Sequence, residues 1–103
     1  MVDNNIQALS PEKATQWIRE IAKWGDVQLT FHIKKRMKQR KYDPQDLECI
    51  LDKGKVKKPA EWDGEYGEWT YCMEGVAIEG DKAVVVLSIV EDKKIKCITI
   101  KPG

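Results

Sequence analysis

The spacing of apolar residues changes character halfway along the chain. Between residues 11 and 24, Ala14, Trp17, Ile18, Ile21 and Ala22 recur every three or four positions, the period of a helix with one buried face. Ser10 supplies an N-cap, Pro11 fits the first helical position, Glu12 favours the positive end of the dipole, and Gly25 supplies the stop. Trp17 and Trp24 add aromatic weight to this stripe, which reads as core packing, with a partner groove as the alternative. Residues 26–31 read as a short connector. A second helix is expected over about 30–41, with Leu29, Ile33 and Met37 as a narrow apolar stripe. Asp43-Pro44 repeats the cap-then-proline signal and opens a third helix through residue 53, with Leu47, Ile50 and Leu51 inward and Gly54 closing it.

After Gly54 the period falls from 3.6 to 2. Residues 55–58 read as a short edge strand stopped by Pro59. Residues 61–68 are acidic, carry Gly64 and Gly67, and read as a loop anchored by Trp62 and Trp69. Strands are expected over 70–79, 82–90 and 95–101, joined by a tight hairpin at Gly80-Asp81 and a looser one over 91–94. The middle strand is apolar on both faces, as a central strand with both faces partly covered would be. The pattern predicts an α+β domain: three short N-terminal helices followed by a three- to four-stranded antiparallel sheet.

Composition narrows the function. A chain of 103 residues, 42% hydrophobic and 34% charged, is expected to form a single domain, which leaves out large cofactor enzymes, solenoids and barrels. No apolar run approaches the roughly 20 residues needed to span a bilayer. The longest covers residues 83–87, and residues 1–5 lack the basic and apolar parts of a signal peptide, so the expected location is cytoplasmic. The three cysteines, Cys49, Cys72 and Cys97, are odd in number, widely spaced and outside any Cys-x-x-Cys, which suits free thiols in a reducing compartment. With His32 they would make a Cys3His set, but structural zinc sites draw ligands in close pairs, so buried thiols are the preferred reading and no metal or other cofactor is expected.

Net charge of +1 hides an uneven distribution. Residues 34–58 hold ten Lys/Arg against four Asp/Glu, whereas residues 59–81 hold seven acids and no base. A basic lobe and an acidic lobe on one small domain suit a polyanion on one side and a basic partner, or a second copy, on the other. Ordinary solvated faces are the plain alternative.

The most informative segment is residues 31–41. On a helix, His32, Arg36 and Arg40 follow one another at about 40° and form one ridge beside the buried stripe, at the border of core and solvent. Histidine exchanges a proton near neutral pH, and guanidinium groups present forked donors to phosphate oxygens. Metal-free RNA cleavage needs little more, because the 2′-hydroxyl of the substrate is the nucleophile. With one histidine in the chain, a two-histidine mechanism is excluded, and Tyr71 is the leading candidate for the second proton. The plain alternative pairs the arginines with acids such as Glu48 or Asp52 and gives His32 a structural hydrogen bond.

Residues 31–40, then Asp43-Pro44-Gln45-Asp46-Leu47 and residues 50–54, resemble a bacterial domain family of unknown function marked by His-x3-Arg-Met-x2-Arg, a short helix and a β-meander. That family is similar to the RelE-like ribonuclease toxin group, whose fold sets N-terminal helices on a four-stranded antiparallel sheet. The resemblance covers about residues 28–101, preceded by an extra N-terminal helix at about 11–24. It implies a ribonuclease-like toxin ancestry, with His32, Arg36 and Arg40 at the motif positions and Thr99 at the threonine of the last strand. Two positions depart from the pattern: Lys41 stands where a glycine commonly follows the motif, and no aromatic follows Thr99.

The leading expectation is a metal-independent endoribonuclease of the toxin type. His32 would be general base or acid, Arg36 and Arg40 phosphate clamps, and Tyr71 and Thr99 supporting groups. Lys34, Lys35, Lys38, Lys55, Lys57 and Lys58 would hold the RNA backbone. Expected partners are RNA, free or on the ribosome, and an antitoxin-like protein, with no membrane. A non-catalytic RNA-, DNA- or protein-binding module of the same fold is the alternative. Stacking of bases on Trp62, Tyr66, Trp69 and Tyr71 is disfavoured by the surrounding Glu61, Asp63, Glu65 and Glu68.

Overall fold

The computed structural model describes residues 7–91 and 93–103. Residues 1–5, read above for a leader, lie outside them, as does Asp92 in the expected 91–94 turn. Three helices, α1 (Pro11–Trp24), α2 (Phe31–Arg40) and α3 (Pro44–Lys53), lie on a mixed six-stranded sheet. The strands are β1 (Asp26–Leu29), β2 (Lys55–Val56), β3 (Glu61–Asp63), β4 (Glu68–Val76), β5 (Lys82–Glu91) and β6 (Lys94–Pro102). The order is β1-β6-β5-β4-β2, with β3 pairing the start of β4. The α+β class and the three helices match expectation, but the sheet has six strands, is not purely antiparallel, and interleaves one strand between the first two helices.

That strand is β1, which the sequence reading had as a connector. It runs parallel to β6, Asp26 against Lys94 through Leu29 against Cys97. Four residues carry too short an alternation to announce a strand, and the partner lies almost 70 residues away. The second addition, β3, falls within the expected acidic loop. Trp62 pairs with Trp69 in register across a turn in which the Asp63 carboxylate accepts from the backbone N–H of Glu65 and Tyr66, and Gly67 takes a φ of +65°. An Asp that folds the chain back through its own side chain is a turn device, and here it makes a hairpin. The Gly80-Asp81 turn is looser than expected, since β4 ends at Val76 and residues 77–81 form the connection.

The helix starts form as their caps dictate. Ser10, Thr30 and Asp43 accept through their side chains from the N–H of Lys13, Ile33 and Asp46, and Asp46 returns the bond to Asp43, closing a capping box. The core lies between helices and sheet. It gathers Ala14, Ile18 and Ile21 of α1, Ile33 and Met37 of α2, Leu47, Ile50 and Leu51 of α3, and Tyr71, Met73, Val85, Leu87, Ile95, Cys97 and Ile100 of the sheet. Trp17 and Trp24 are not part of it. They lie about 70–90° round α1 from the middle of the buried arc, and Trp24 is 81% exposed. No helix among the described residues is long and apolar enough to cross a membrane.

The end of α2 carries a local conflict between sequence and backbone. Lys41 caps it in the left-handed region, φ +62° and ψ +37°, with the N–H of both Lys41 and Tyr42 donating to the Met37 carbonyl. A residue with a Cβ is strained there, and glycine is the usual occupant. Lys41→Gly is expected to stabilise the fold by about 0.5–1 kcal/mol, raising Tm by roughly 3–6 °C for a domain of this size. Thermal unfolding by circular dichroism checks it, and an unchanged or lowered Tm contradicts it.

Cys97 is 0% exposed on the core face of β6, and burial alone pushes its thiol from the usual 9.0 up to about 12. Between these values the unfolded chain releases the thiol proton and the folded chain keeps it. Stability from this group is therefore complete below pH 9 and is lost as pH rises towards 12. In native protein, thiol titration with a chromogenic disulfide reagent should count the partly exposed Cys49 and Cys72 and reach Cys97 only after unfolding. Three fast-reacting thiols in folded protein would contradict this.

Candidate nucleic-acid interface

The β1–α2 corner places the ridge. β1 stops at Leu29, so the half of β6 beyond Cys97 has no strand on that side. Helix α2 takes the place of one. Thr30 donates its backbone N–H to the Cys97 carbonyl and its hydroxyl to the Ile98 carbonyl, pinning the start of α2 to the strand. At the other end Arg40 Nη1 donates to the Ile100 carbonyl at 2.7 Å. Edge carbonyls that would otherwise be left to solvent are thus satisfied by the helix. A bulge helps, because Val86 pairs with Thr99 and Leu87 with Cys97, leaving Ile98 as the extra residue.

His32, Arg36 and Arg40 lie along one line of α2, as the four-residue spacing requires. Arg36 Nε approaches His32 Nε2 at 3.5 Å, a long contact in which the ring nitrogen accepts. Arg36 Nη1 donates to Gln39 Oε1 at 3.1 Å. Neither arginine meets a carboxylate among the described residues. Asp52, one acid considered for that role, lies instead 3.9 Å from Lys23. From Val27 to Tyr42 the chain contains no acid and six Lys/Arg. The ridge is therefore a row of cationic donors without an ion-pair partner among the described residues, although Asp43, Asp46, Glu79 and Asp81 line the same hollow as Arg40.

The other candidates divide. Thr99 lies between the carbonyls held by Thr30 and Arg40, paired with Val86 on the sheet face away from the helices, so it shares the edge with the ridge. Tyr71 does not. It sits on β4, two strands away on the helix side, 4% exposed, and its hydroxyl accepts from the Leu9 N–H at 2.9 Å. That hydroxyl closes the segment ahead of α1 over the core and stands apart from His32. Alternation explains the placement, since Tyr71 faces the core with Leu87 and Cys97 while Cys72 and Thr99 face the opposite way.

The lysines also part company. Lys34, Lys35 and Lys38 are exposed on α2 but lie about 100–160° round the helix from Arg36, on its solvated face rather than beside the ridge. Lys55, Lys57 and Lys58 lie on and after β2, at the far edge of the sheet, with β5 and β4 between. Three strand spacings separate β6 from β2, about 14 Å. Lys57 lies 3.9 Å from Glu74. The single basic lobe suggested by the chain order is thus two patches on opposite edges. The acidic lobe is likewise used locally: Asp63 builds its turn, and Glu68 grips Lys96 at 2.9 Å while Tyr66 lays its ring 5.5 Å from that ammonium. Trp62 stacks edge-on against Trp69 at 5.2 Å but remains exposed, so only Trp69 anchors to the core. Among the described residues no three His, Cys, Asp or Glu side chains gather as a metal-binding group.

One exposed side chain of α2 escaped the sequence reading. Phe31, the first residue of α2, is 84% exposed, on the face of Lys34, Lys35 and Lys38 and about 140° round the helix from Arg36. The signal was available: Phe31 falls about 160° from Ile33 and far from Met37 on the helix, outside the apolar stripe.

Residues 29–101 match the family model for Domain of unknown function (DUF4258). A search of curated proteins and one of solved structures each gave no match.

Proposed function

The chain belongs to the DUF4258 family, and on that footing we propose that it is a metal-independent endoribonuclease of the toxin type, with the α2 ridge as its phosphate site. The observation that supports this best is the unpaired charge of the ridge: half-buried Arg36 and exposed Arg40 lie at a sheet edge in line with His32, with no carboxylate paired to them among the described residues. The similarity of the family marked by His-x3-Arg-Met-x2-Arg to the RelE-like ribonuclease toxin group suggests the reaction class.

In this reading the 2′-oxygen of the RNA attacks the adjacent phosphorus and the bond to the 5′-oxygen breaks, giving a 2′,3′-cyclic phosphate and a 5′-hydroxyl. His32 takes the 2′-hydroxyl proton on Nε2, the acceptor that Arg36 Nε leaves as the guanidinium turns to the phosphate. Arg36, and the N–H groups of Arg40 left over from Ile100, stabilise the charge that builds on the phosphoryl oxygens. Thr99 supports the edge, and solvent supplies the leaving-group proton, since Tyr71 is buried elsewhere. Lys34, Lys35 and Lys38 hold the backbone where it leaves the ridge and wraps the solvated face of α2. Lys55, Lys57 and Lys58 reach the same strand only where it crosses the sheet. The setting is cytoplasmic, with RNA, free or on the ribosome, as substrate and an antitoxin-like protein as neutralising partner.

Arg36→Ala tests the phosphate site. Cleavage of RNA is expected to fall about 100-fold or more, and binding to weaken with a shallower salt dependence, by roughly 0.7 in the log–log slope for a single strand. Unchanged cleavage and binding would overturn the proposal. A second reading, a non-catalytic binding module of the same fold, is favoured by one observation: no second proton-transfer side chain from the candidate set stands beside His32. It predicts salt-sensitive RNA binding that survives His32→Ala, without cleavage by either protein.

A further inference from the structure

The two ends of the sheet are finished differently. At the β2 end the strand is two residues long, Val56 donates its N–H to Thr15 Oγ1 at 2.9 Å, and Lys55, Lys57, Lys58 and Pro59 stand along it. Brevity, lysines and proline keep a foreign strand from adding to an edge. Glu61 and Asp63 do the same for β3, since two such strands side by side would oppose like charges. At the other end, Asp26-Val27-Gln28-Leu29 runs for four residues without lysine, proline or bulge. The N–H groups of Asp26 and Thr30 donate inward, to the Lys93 and Cys97 carbonyls. Every second residue of a strand bonds to a given parallel neighbour, so Val27 and Leu29 turn their N–H and C=O groups outward. Nothing among the described residues pairs with that side of β1.

The spacing of those groups fits the same strand of a second copy. We propose that the chain forms a two-fold dimer in which β1 pairs antiparallel with β1 of the other copy, centred on Gln28. Val27 then faces Leu29 of the other copy, and each such pair exchanges two hydrogen bonds. All four outward groups of each strand are satisfied. Centring on Val27 or Leu29 would instead oppose Leu29 to Gly25 or Val27 to Phe31, outside the strand. The ends match as well. Trp24 closes α1 two residues before β1 and Phe31 opens α2 two residues after it, 81% and 84% exposed. Two-fold pairing brings the Trp24 end of one copy to the Phe31 end of the other, covering rings that a single chain leaves in water. It also sets exposed Asp26 level with Thr30, the cap of a helix whose first turn holds no acid. An isologous contact of this kind closes at two copies and does not run on into a fibre.

Sedimentation velocity over roughly 5–500 μM reads the assembly. Wild type is expected to pass from monomer to dimer and no further. Gln28→Lys and Gln28→Glu each set like charges against each other at the axis and should raise the dissociation constant about 10-fold or more. Their circular dichroism should be unchanged, because the Gln28 side chain is exposed. Mixed together, the two variants should associate again as lysine meets glutamate. Gln28→Cys checks the register. Residues opposed in a non-hydrogen-bonded antiparallel pair lie about 4.5 Å apart at Cα, within reach of a disulfide. Mild oxidation should therefore link Gln28→Cys into a covalent dimer and leave wild type and Asp26→Cys unlinked. A wild type that stays monomeric, larger assemblies, or a dimer indifferent to both charge variants and to their mixing overturns the proposal. Should the charge variants fail to fold, a Gln28→Cys protein that links no faster than Asp26→Cys overturns it alone.

Discussion

Gly54→Ala is expected to destabilise the domain by about 2–4 kcal/mol, the upper range for forcing an extra methyl into a packed site, and to lower Tm by roughly 10–20 °C. Gly54 has a φ of −75°, open to any residue, so the penalty is purely steric. A Cβ there would lie 2.5 Å from the Ile50 carbonyl oxygen and 2.7 Å from that of Glu74, backbone atoms of α3 and β4 that no side-chain rotation can move aside. Gly75 faces it, with room for its own Cβ only 3.2 Å from the Gly54 Cα. The two glycines let the α3–β2 corner close onto β4. The segment has little freedom to yield, since Arg19 donates Nε and Nη2 to the Gly54 carbonyl at 3.1 and 2.8 Å. Urea unfolding of Gly54→Ala and of Gly64→Ala makes the comparison, because a Cβ at Gly64 meets nothing closer than 3.8 Å. Equal stability of the two variants would contradict this account of the corner.

His32→Ala carries the largest expected effect on function, a loss of about 100- to 10,000-fold in RNA cleavage with little change in stability or RNA affinity. Its ring is exposed and anchors nothing in the core, so removing it should leave the fold intact. The Arg36 contact it loses is long, and Arg36 keeps Gln39 as a partner. In the proposed site the phosphate contacts would rest on the arginines and lysines, which remain. Loss of turnover without loss of binding is therefore the signature of a proton-transfer group. A fall in affinity equal to the fall in rate would instead make His32 a binding residue.

Local chemistry made the helices legible. Ser10-Pro11 and Asp43-Pro44 announced their starts, and the i, i+4 pattern of His32, Arg36 and Arg40 gave the ridge without any tertiary information. What lay beyond reach was non-local. β1 is a strand only because β6 returns beside it, and Arg40 found a backbone carbonyl rather than an acid because α2 covers that bare edge. Tyr71 looked available because sequence gives the alternation of a strand but not which phase faces the helices. The basic segment read as one lobe because proximity in the chain was taken for proximity in space, yet α3 carries the chain from one sheet edge to the other. Trp24 shows the complementary error, an aromatic counted as core by its type when its angle on α1 placed it outside.

The central claim is that the α2 ridge cleaves RNA by proton transfer through His32. Its most direct test incubates purified wild type and His32→Ala with total RNA in EDTA, each alone and with ribosomes, and resolves the products by gel. The account predicts fragments ending in 2′,3′-cyclic phosphate from wild type and none from His32→Ala at equal folded concentration. Intact RNA with both proteins, or equal cleavage by both, would contradict it.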